Sequence, residues 1–396
     1  MPTPIVLTLR EYEPTRFRPE QLPEAAARLL HTHYHEQVDV QPPSFRTQGQ
    51  WQLTARGWIG YIPLTAELAL SLQPKTPLVN LFGMLEVAYN LQSFRFLDGL
   101  FDAATLDEFY ERLAHILARR ILDRLRKGLY QRYISQADRL PYVRGRLDLQ
   151  PMFQQPEQVE VHCQYEEQTG DVEENQILAW TLHRILRSGL CTEQRALPSV
   201  RQALRVLQST VTLQPFAAQV CLQRTYNRLN HDYHPLHALC YFFLDERGPS
   251  HEAGGRQMLP FLVNMARLYE RFVAEWLKAN LDPKYSLKIQ DRYAIGSSGP
   301  HFNIDLVVVE QATGQPRWVM DTKYRTPGAT PSADEIAQVI AYAEAKGAAE
   351  AILIYPVAPT RPLDQTVGAI RVRSLTFALD WSLDAAGQAF LSTLHM

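Results

Sequence analysis

The stretch Phe302-Asn303-Ile304-Asp305-Leu306-Val307-Val308-Val309, followed by Trp318-Val319-Met320-Asp321-Thr322-Lys323-Tyr324, decides the fold of this chain. Two apolar, strand-like runs flank the polar linker Glu310-Gln311-Ala312-Thr313-Gly314-Gln315-Pro316, whose Gly and Pro predict a hairpin turn. The first run carries one acid, Asp305, and the second an Asp-x-Lys, Asp321 and Lys323. Side chains alternate faces along a strand. Phe302, Ile304, Leu306 and Val308 are expected on one face, and Asn303, Asp305, Val307 and Val309 on the other. Asp321 and Lys323 then point the same way, roughly 6–7 Å apart along the strand. Pairing the strands brings Asp305 beside Asp321. Unpaired charge inside an apolar strand is costly, and two carboxylates together suit a hard divalent cation such as Mg²⁺. Spacing alone leaves open two amphipathic strands with an incidental ion pair.

The flanking segments add to this. Met258 to Leu281 is expected to be helical, because Leu262, Met265, Ala266, Tyr269, Phe272, Val273, Trp276 and Leu277 recur at three- and four-residue steps. Glu270 lies at the edge of that stripe. Downstream, Ser332-Ala333-Asp334-Glu335 has the pattern of a capping box. It predicts a helix to about Lys346, ended at Gly347, with Gln338 and Tyr342 on one flank. Ala351 to Tyr355 reads as a buried strand. With Tyr285 to Ile289 as the first strand, the order is helix, three strands, helix, strand.

That order, with those residues, resembles the core of the PD-(D/E)xK nucleases. The resemblance assigns Glu270 to the helix acid, Asp305 to the first strand acid, and Asp321 with Lys323 to the D-x-K pair. Gln338 and Tyr342 match polar residues of the following helix. Ile304 stands where the motif name expects proline. The resemblance implies Mg²⁺ held by Asp305, Asp321, Glu270 and the Thr322 carbonyl. It makes Lys323 the residue that positions or deprotonates water, and Gln338 and Arg325 phosphate contacts.

The 396 residues predict two or three domains at about 150 residues each. A net charge of −2 carries no global signal for nucleic acid. Cys163, Cys191, Cys221 and Cys240 are scattered without a Cys-x-x-Cys, which argues against a disulfide framework or zinc ribbon and for a reducing cytoplasm. There is no signal-peptide pattern and no apolar run of membrane-spanning length. Residues 1–75 predict a small β-rich module, with strands at Ile5 to Leu9, Val38 to Val40 and Trp51 to Leu64, and a helix at Pro23 to Leu30. Residues 76–250 read as mainly helical, with helices at Leu78 to Leu91 and Thr105 to Tyr133, and residues 251–396 as the nuclease domain. The fold class expected is α/β: an α+β amino-terminal region and a PD-(D/E)xK restriction-endonuclease-like domain with a central mixed sheet flanked by helices.

The second helix carries Arg119, Arg120, Arg124, Arg126, Lys127 and Arg132, interleaved with acids, as expected of a solvated face. His31, His33 and His35, and His231, His234 and His237, have metal-like spacing, but surface or packing roles are favoured for both.

Tyr142-Val143-Arg144-Gly145-Arg146-Leu147-Asp148, Cys163-Gln164-Tyr165-Glu166-Glu167, Glu174-Asn175-Gln176-Ile177-Leu178 and Tyr226-Asn227-Arg228-Leu229 resemble motifs of the McrC family, as does Leu268 to Val273. McrC proteins are nuclease subunits of modification-dependent restriction systems. The resemblance spans about Leu78 to Tyr355 and implies a McrB-like AAA+ GTPase hexamer as partner, stimulation of its GTPase, and cleavage of DNA bearing modified cytosine. GTP would then act only through the partner; the chain has no Gly-Lys dipeptide and hence no phosphate-loop motif. A non-catalytic activator of an AAA+ ring and a free-standing nuclease are the alternatives.

Overall fold

A computed structural model describes residues 5–65, 67–75, 78–89, 106–148, 160–191, 196–245, 251–253, 256–258, 260–294, 299–325, 330–379 and 382–395. The elements are β1 (Ile5–Arg10), β2 (Thr15–Phe17), α1 (Glu24–His33), β3 (Val38–Gln41), β4 (Trp51–Ala55), β5 (Trp58–Pro63), β6 (Leu68–Gln73) and α2 (Leu78–Ala88). Next come α3 (Leu106–Arg126), β7 (Arg132–Leu140), β8 (Arg146–Leu147), β9 (Val161–Thr169), α4 (Glu173–Ser188), α5 (Leu197–Gln208) and α6 (Tyr233–Asp245). The chain continues through β10 (His251–Ala253), β11 (Arg256–Met258), β12 (Phe261–Asn264), α7 (Met265–Asn280), β13 (Tyr285–Ala294), β14 (His301–Glu310) and β15 (Pro316–Thr322). It ends with α8 (Ala333–Lys346), β16 (Glu350–Tyr355), β17 (Asp364–Val367), β18 (Ile370–Thr376) and α9 (Leu383–Leu394). This is a mixed α/β chain with several sheets. Its two compact units are Met1–Asp107 with Glu246–Met396, and Glu108–Asp245.

In the first unit, β1, β6, β5 and β12 form one sheet in that order. The amino-terminal strands and the segment just before α7 therefore share a ladder. Their contact depends on Gly60, which pairs with Leu262 at φ +130°. A Cβ there would lie 2.1 Å from the Phe261 carbonyl oxygen. Only glycine permits both the dihedral and the approach. Phe261, Leu262 and Val263 are buried in this ladder, so the helix expected from Met258 begins only at Met265. The Asn264 side chain accepts a hydrogen bond from the Arg267 amide and caps it. Here strand pairing overrides a helical period.

The second sheet of this unit has the order β13-β14-β15-β16-β18-β17. β13, β14 and β15 are antiparallel, and β15, β16 and β18 parallel. The expected capping box is present: Ser332 accepts from the Glu335 amide, and Glu335 from the Ser332 amide. α8 closes at Gly347. Val339, Tyr342 and Ala343 of α8 join Val307, Val319, Ala351, Leu353 and Val372 of the sheet in one apolar cluster. α9 is pinned by a buried ion pair. Arg373 contacts Glu350 and donates to the Thr393 and Leu394 carbonyls, each at 2.9 Å, while the Trp318 indole donates to Glu350 at 2.9 Å.

In the second unit, α3 ends at Arg126, short of the Tyr133 expected, and Gly128 adopts φ +91°. The chain then pairs as β7 with β9 over nine residues, a sheet that the helical reading of 76–250 did not include. Thr105 and residues 90–91, expected at helix ends, lie outside the described residues. Arg124 pairs with Asp232, Arg126 with Asp123 and Arg132 with Glu174, as a self-neutralised face requires. The quoted motifs of this unit have structural work. The Arg144 guanidinium lies 3.9 Å from the centre of the Tyr165 ring. Gly145, at φ +72°, passes so close to the Gln164 carbonyl that a Cβ would stand 2.4 Å from it. The buried Asn175 amide donates to the Tyr130 and Gly170 carbonyls and accepts from the Tyr233 hydroxyl. His237 lies between the Glu174 carbonyl, 3.0 Å from Nε2, and the Tyr226 hydroxyl, 2.8 Å from Nδ1. A carbonyl can only accept, so Nε2 carries the proton and Nδ1 accepts from Tyr226. His234 packs its ring on Tyr226, and the exposed His231 contacts the Arg228 carbonyl.

Two expectations follow. Gly60→Ala should lower unfolding free energy by about 2–4 kcal/mol, through left-handed strain and a backbone clash, measured by urea denaturation. His237 is held neutral, its pKa pushed by burial from 6.5 down to about 4. Its contribution is therefore complete above its ordinary pKa and is lost as pH falls through the window down to about 4. Between pH ~7 and ~4.5 the wild type should lose more stability than His237→Gln in paired urea titrations; equal losses would remove His237 from the pH response.

Candidate active site

The register Leu306–Met320 and Val307–Val319 runs on toward Asp305 and Asp321 at the end of the β14–β15 ladder. Asp321 is the last buried residue of β15. Its partner is the next-but-one residue: Lys323 Nζ stands 2.6 Å from Asp321 Oδ2. The same ammonium donates to Gln338 Oε1 at 3.0 Å, and Gln338 Nε2 donates to the Tyr342 hydroxyl at 2.8 Å. The α8 flank thus aligns the lysine. Asp305 Oδ2 accepts from both the amide and the hydroxyl of Thr322, each at 3.0 Å. Glu270, on the second turn of α7, accepts from the Gln290 amide.

Burial raises the pKa of each of these carboxylates, and Asp305 adds to the rise in the other two. Burial, then the nearby Asp305, pushes Glu270 up to about 7. Burial and Asp305 likewise push Asp321 up to about 6 despite Lys323. Burial raises Asp305 against the pull of the Thr322 donors. Negative charge is therefore in surplus at this sheet end, and one ammonium does not cancel it. Asp321 Oδ2 is buried and has the ion pair but no well-aligned hydrogen bond. All-oxygen donors with excess negative charge suit a hard divalent cation. Among the described residues, however, no group of three or more His, Cys, Asp or Glu is arranged as a ready metal cage.

The structure brings together Glu270, Asp305, Asp321, Thr322, Lys323 and Gln338. Arg325 is committed elsewhere: its Nε donates to Glu335 Oε1 at 2.8 Å. Glu335 also accepts from Ser332 and the Tyr355 hydroxyl, and is held at about 2, with the Arg325 bond its largest stabilising contact. His31 and His33 lie in the last turn of α1, so they do not share a face as alternating strand residues would. The strict alternation expected in β14 also fails. Phe302 and Ile304 pack in the same cluster as Val307 and Val309. The break falls at Asp305, where the β13–β14 ladder passes from Ile289–Leu306 to Asp291–Ile304. Gln290, opposite Asp305, has φ +51°. Gln290 gives no signal in the sequence, since a lone Gln in a strand carries no periodic pattern.

Among the described residues no helix is long and apolar enough to cross a membrane. No curated protein matches the sequence. A chain of a refined half-complex from a tetradecameric assembly of Thermococcus gammatolerans McrB AAA+ hexamers with bound McrC is similar in fold, with a TM-score of 0.57 at 16% identity. The match covers 98% of this chain and 100% of that one. A chain of a Thermococcus gammatolerans McrBC complex solved by cryo-electron microscopy matches over 70% of this chain and 88% of its own, with a TM-score of 0.46 at 16% identity. The family model described as McrBC 5-methylcytosine restriction system component matches residues 53–356. With more than half its length inside that model, and motifs from Arg144 to Tyr355 within the match, the chain belongs to the McrBC 5-methylcytosine restriction system component family.

Proposed function

We propose that this chain is the nuclease subunit of a McrBC-like, GTP-dependent restriction complex that cuts DNA bearing modified cytosine. The observation that carries the reading is the gathering of Glu270, Asp305, Asp321 and Lys323 at one sheet end, with Gln338 holding the lysine. The element order α7, β13, β14, β15, α8, β16 supports the reading of a PD-(D/E)xK core, and family membership supports the restriction context. Asp305, Asp321 and Glu270, with the Thr322 carbonyl, would hold Mg²⁺, which when bound supplies positive charge to the phosphate and acidifies water. Lys323 positions the attacking water and offsets charge on the scissile phosphate. Thr322 keeps Asp305 oriented, and Gln338 keeps Lys323 from swinging away from Asp321. Gln338 is also placed to meet phosphate, whereas Arg325 could do so only by leaving Glu335.

The partner in this reading is a McrB-like AAA+ GTPase hexamer, as in the assembly of similar fold. The mainly helical region 76–250 engages it, residues 1–75 form a β-rich module, and residues 251–396 carry the nuclease. GTP is bound by the partner. The complex works in the cytoplasm, where the DNA and GTP are.

Two outcomes are expected from co-purification with the AAA+ partner and assay with GTP and Mg²⁺ on methylated and unmethylated DNA. The parent complex should cut methylated DNA. Asp321→Ala and Lys323→Ala should each lower cleavage by at least about 10³-fold, while stimulation of the partner's GTPase persists. Full cutting by either variant would overturn the site. Loss of GTPase stimulation in both would instead show that the substitutions damage the whole subunit.

A further inference from the structure

Gln290 combines two features that a strand residue rarely has. Its backbone is left-handed, φ +51°, within β13. A non-glycine residue there is strained, and such strain persists only where the surroundings impose it. The surroundings are visible on both sides. Ile289 pairs with Leu306, and Asp291 pairs with Ile304 and is tied to Lys346 Nζ at 2.7 Å. That ammonium also lies 5.2 Å from the centre of the Tyr293 ring. The kink is therefore clamped between the neighbouring strand and the end of α8. It coincides with the break of alternation at Asp305 in β14. Local strand irregularities of this kind re-aim side chains.

The second feature is what the re-aimed side chain touches. The Gln290 amide donates to Glu270 Oε1. Glu270 arrives from a helix, whereas Asp305 and Asp321 arrive from adjacent strands. The helix acid has no backbone ladder to fix it against the strand acids, and Asp305 repels it. A neutral donor is suited to this place. It holds the carboxylate without cancelling its charge, which a lysine or arginine would do.

We propose that Gln290 is a positioning residue of the nuclease site, its strained backbone and its amide together holding Glu270 toward Asp305 and Asp321. The inference rests on the proposed role of Glu270 beside those aspartates and adds the group that orients it. It also accounts for the strain, which buys orientation of the helix acid and no packing, since Gln290 is exposed.

The test uses the full chain with its AAA+ partner and two variants. Gln290→Gly keeps the left-handed backbone and removes the amide. Gln290→Asn tolerates the same backbone but is one methylene too short to reach Glu270. Both should raise the Mg²⁺ concentration for half-maximal cleavage about tenfold or more. Calorimetric Mn²⁺ affinity of the free chain should fall in parallel, and the melting temperature of Gln290→Gly should not fall. On a Glu270→Ala background, Gln290→Gly should have no further effect on either metal readout. Metal dependence and Mn²⁺ affinity equal to the parent's in both variants would overturn the proposal, as would a full additional loss on the Glu270→Ala background. Asp321→Ala is run alongside. If it cuts normally, the nuclease reading itself fails; if it is dead while both Gln290 variants behave as the parent, only the role of Gln290 fails.

Discussion

Three carboxylates that repel one another at the end of a single sheet set the conditions for everything around them. Glu270, Asp305 and Asp321 are half-buried or buried, burial raises the proton affinity of all three, and Asp305 raises that of Glu270 and Asp321 further. Such a cluster destabilises a fold unless each member is held by donors. Here the donors are local and specific: Lys323 for Asp321, the amide and hydroxyl of Thr322 for Asp305, and the Gln290 amide for Glu270. Their geometry requires a ladder register that ends at the two aspartates, a helix flank that aligns the lysine and a kink in the edge strand. Stability is set against charge concentration at this sheet end.

The amino-terminal strands belong to the same compact unit as this site. β12 completes the sheet of β1, β6 and β5 and runs without a break into α7, which carries Glu270. A second link passes through Tyr324, next to Lys323. Its hydroxyl donates to the buried Glu11, and its ring faces Tyr269, next to Glu270. Lys75 lies over the rings of Tyr12 and Tyr324. The β-rich segment thus braces residues adjacent to two of the charged groups.

Local signals were legible where one short-range interaction dominates. Ser332 and Glu335 form their capping box because both partners lie within one turn, and Gly347 ends the helix because it alone adopts the left-handed turn without cost. Asp321 and Lys323 pair because they stand two residues apart, although Lys323 lies just past the end of β15. The start of α7 and the end of α3 depart from the helical pattern because Phe261 to Asn264 and Arg132 to Leu140 find strand partners elsewhere in the chain. Neither the apolar Phe261–Asn264 nor the largely exposed Arg132–Leu140 reveals by its own sequence the strand it will pair with.

The sequence by itself determined which charged residues are at hand: the acids, the lysine, their spacing and the elements bearing them, since these depend on residue type and local period. Only the tertiary structure decided which donors hold each acid. Thr322 meets Asp305 through a ladder register, Gln338 meets Lys323 through helix packing, and Gln290 meets Glu270 through a left-handed kink clamped by its neighbours. Each of those contacts joins two different segments, 15 to 20 residues apart along the chain, so its geometry exists only once those segments have packed together.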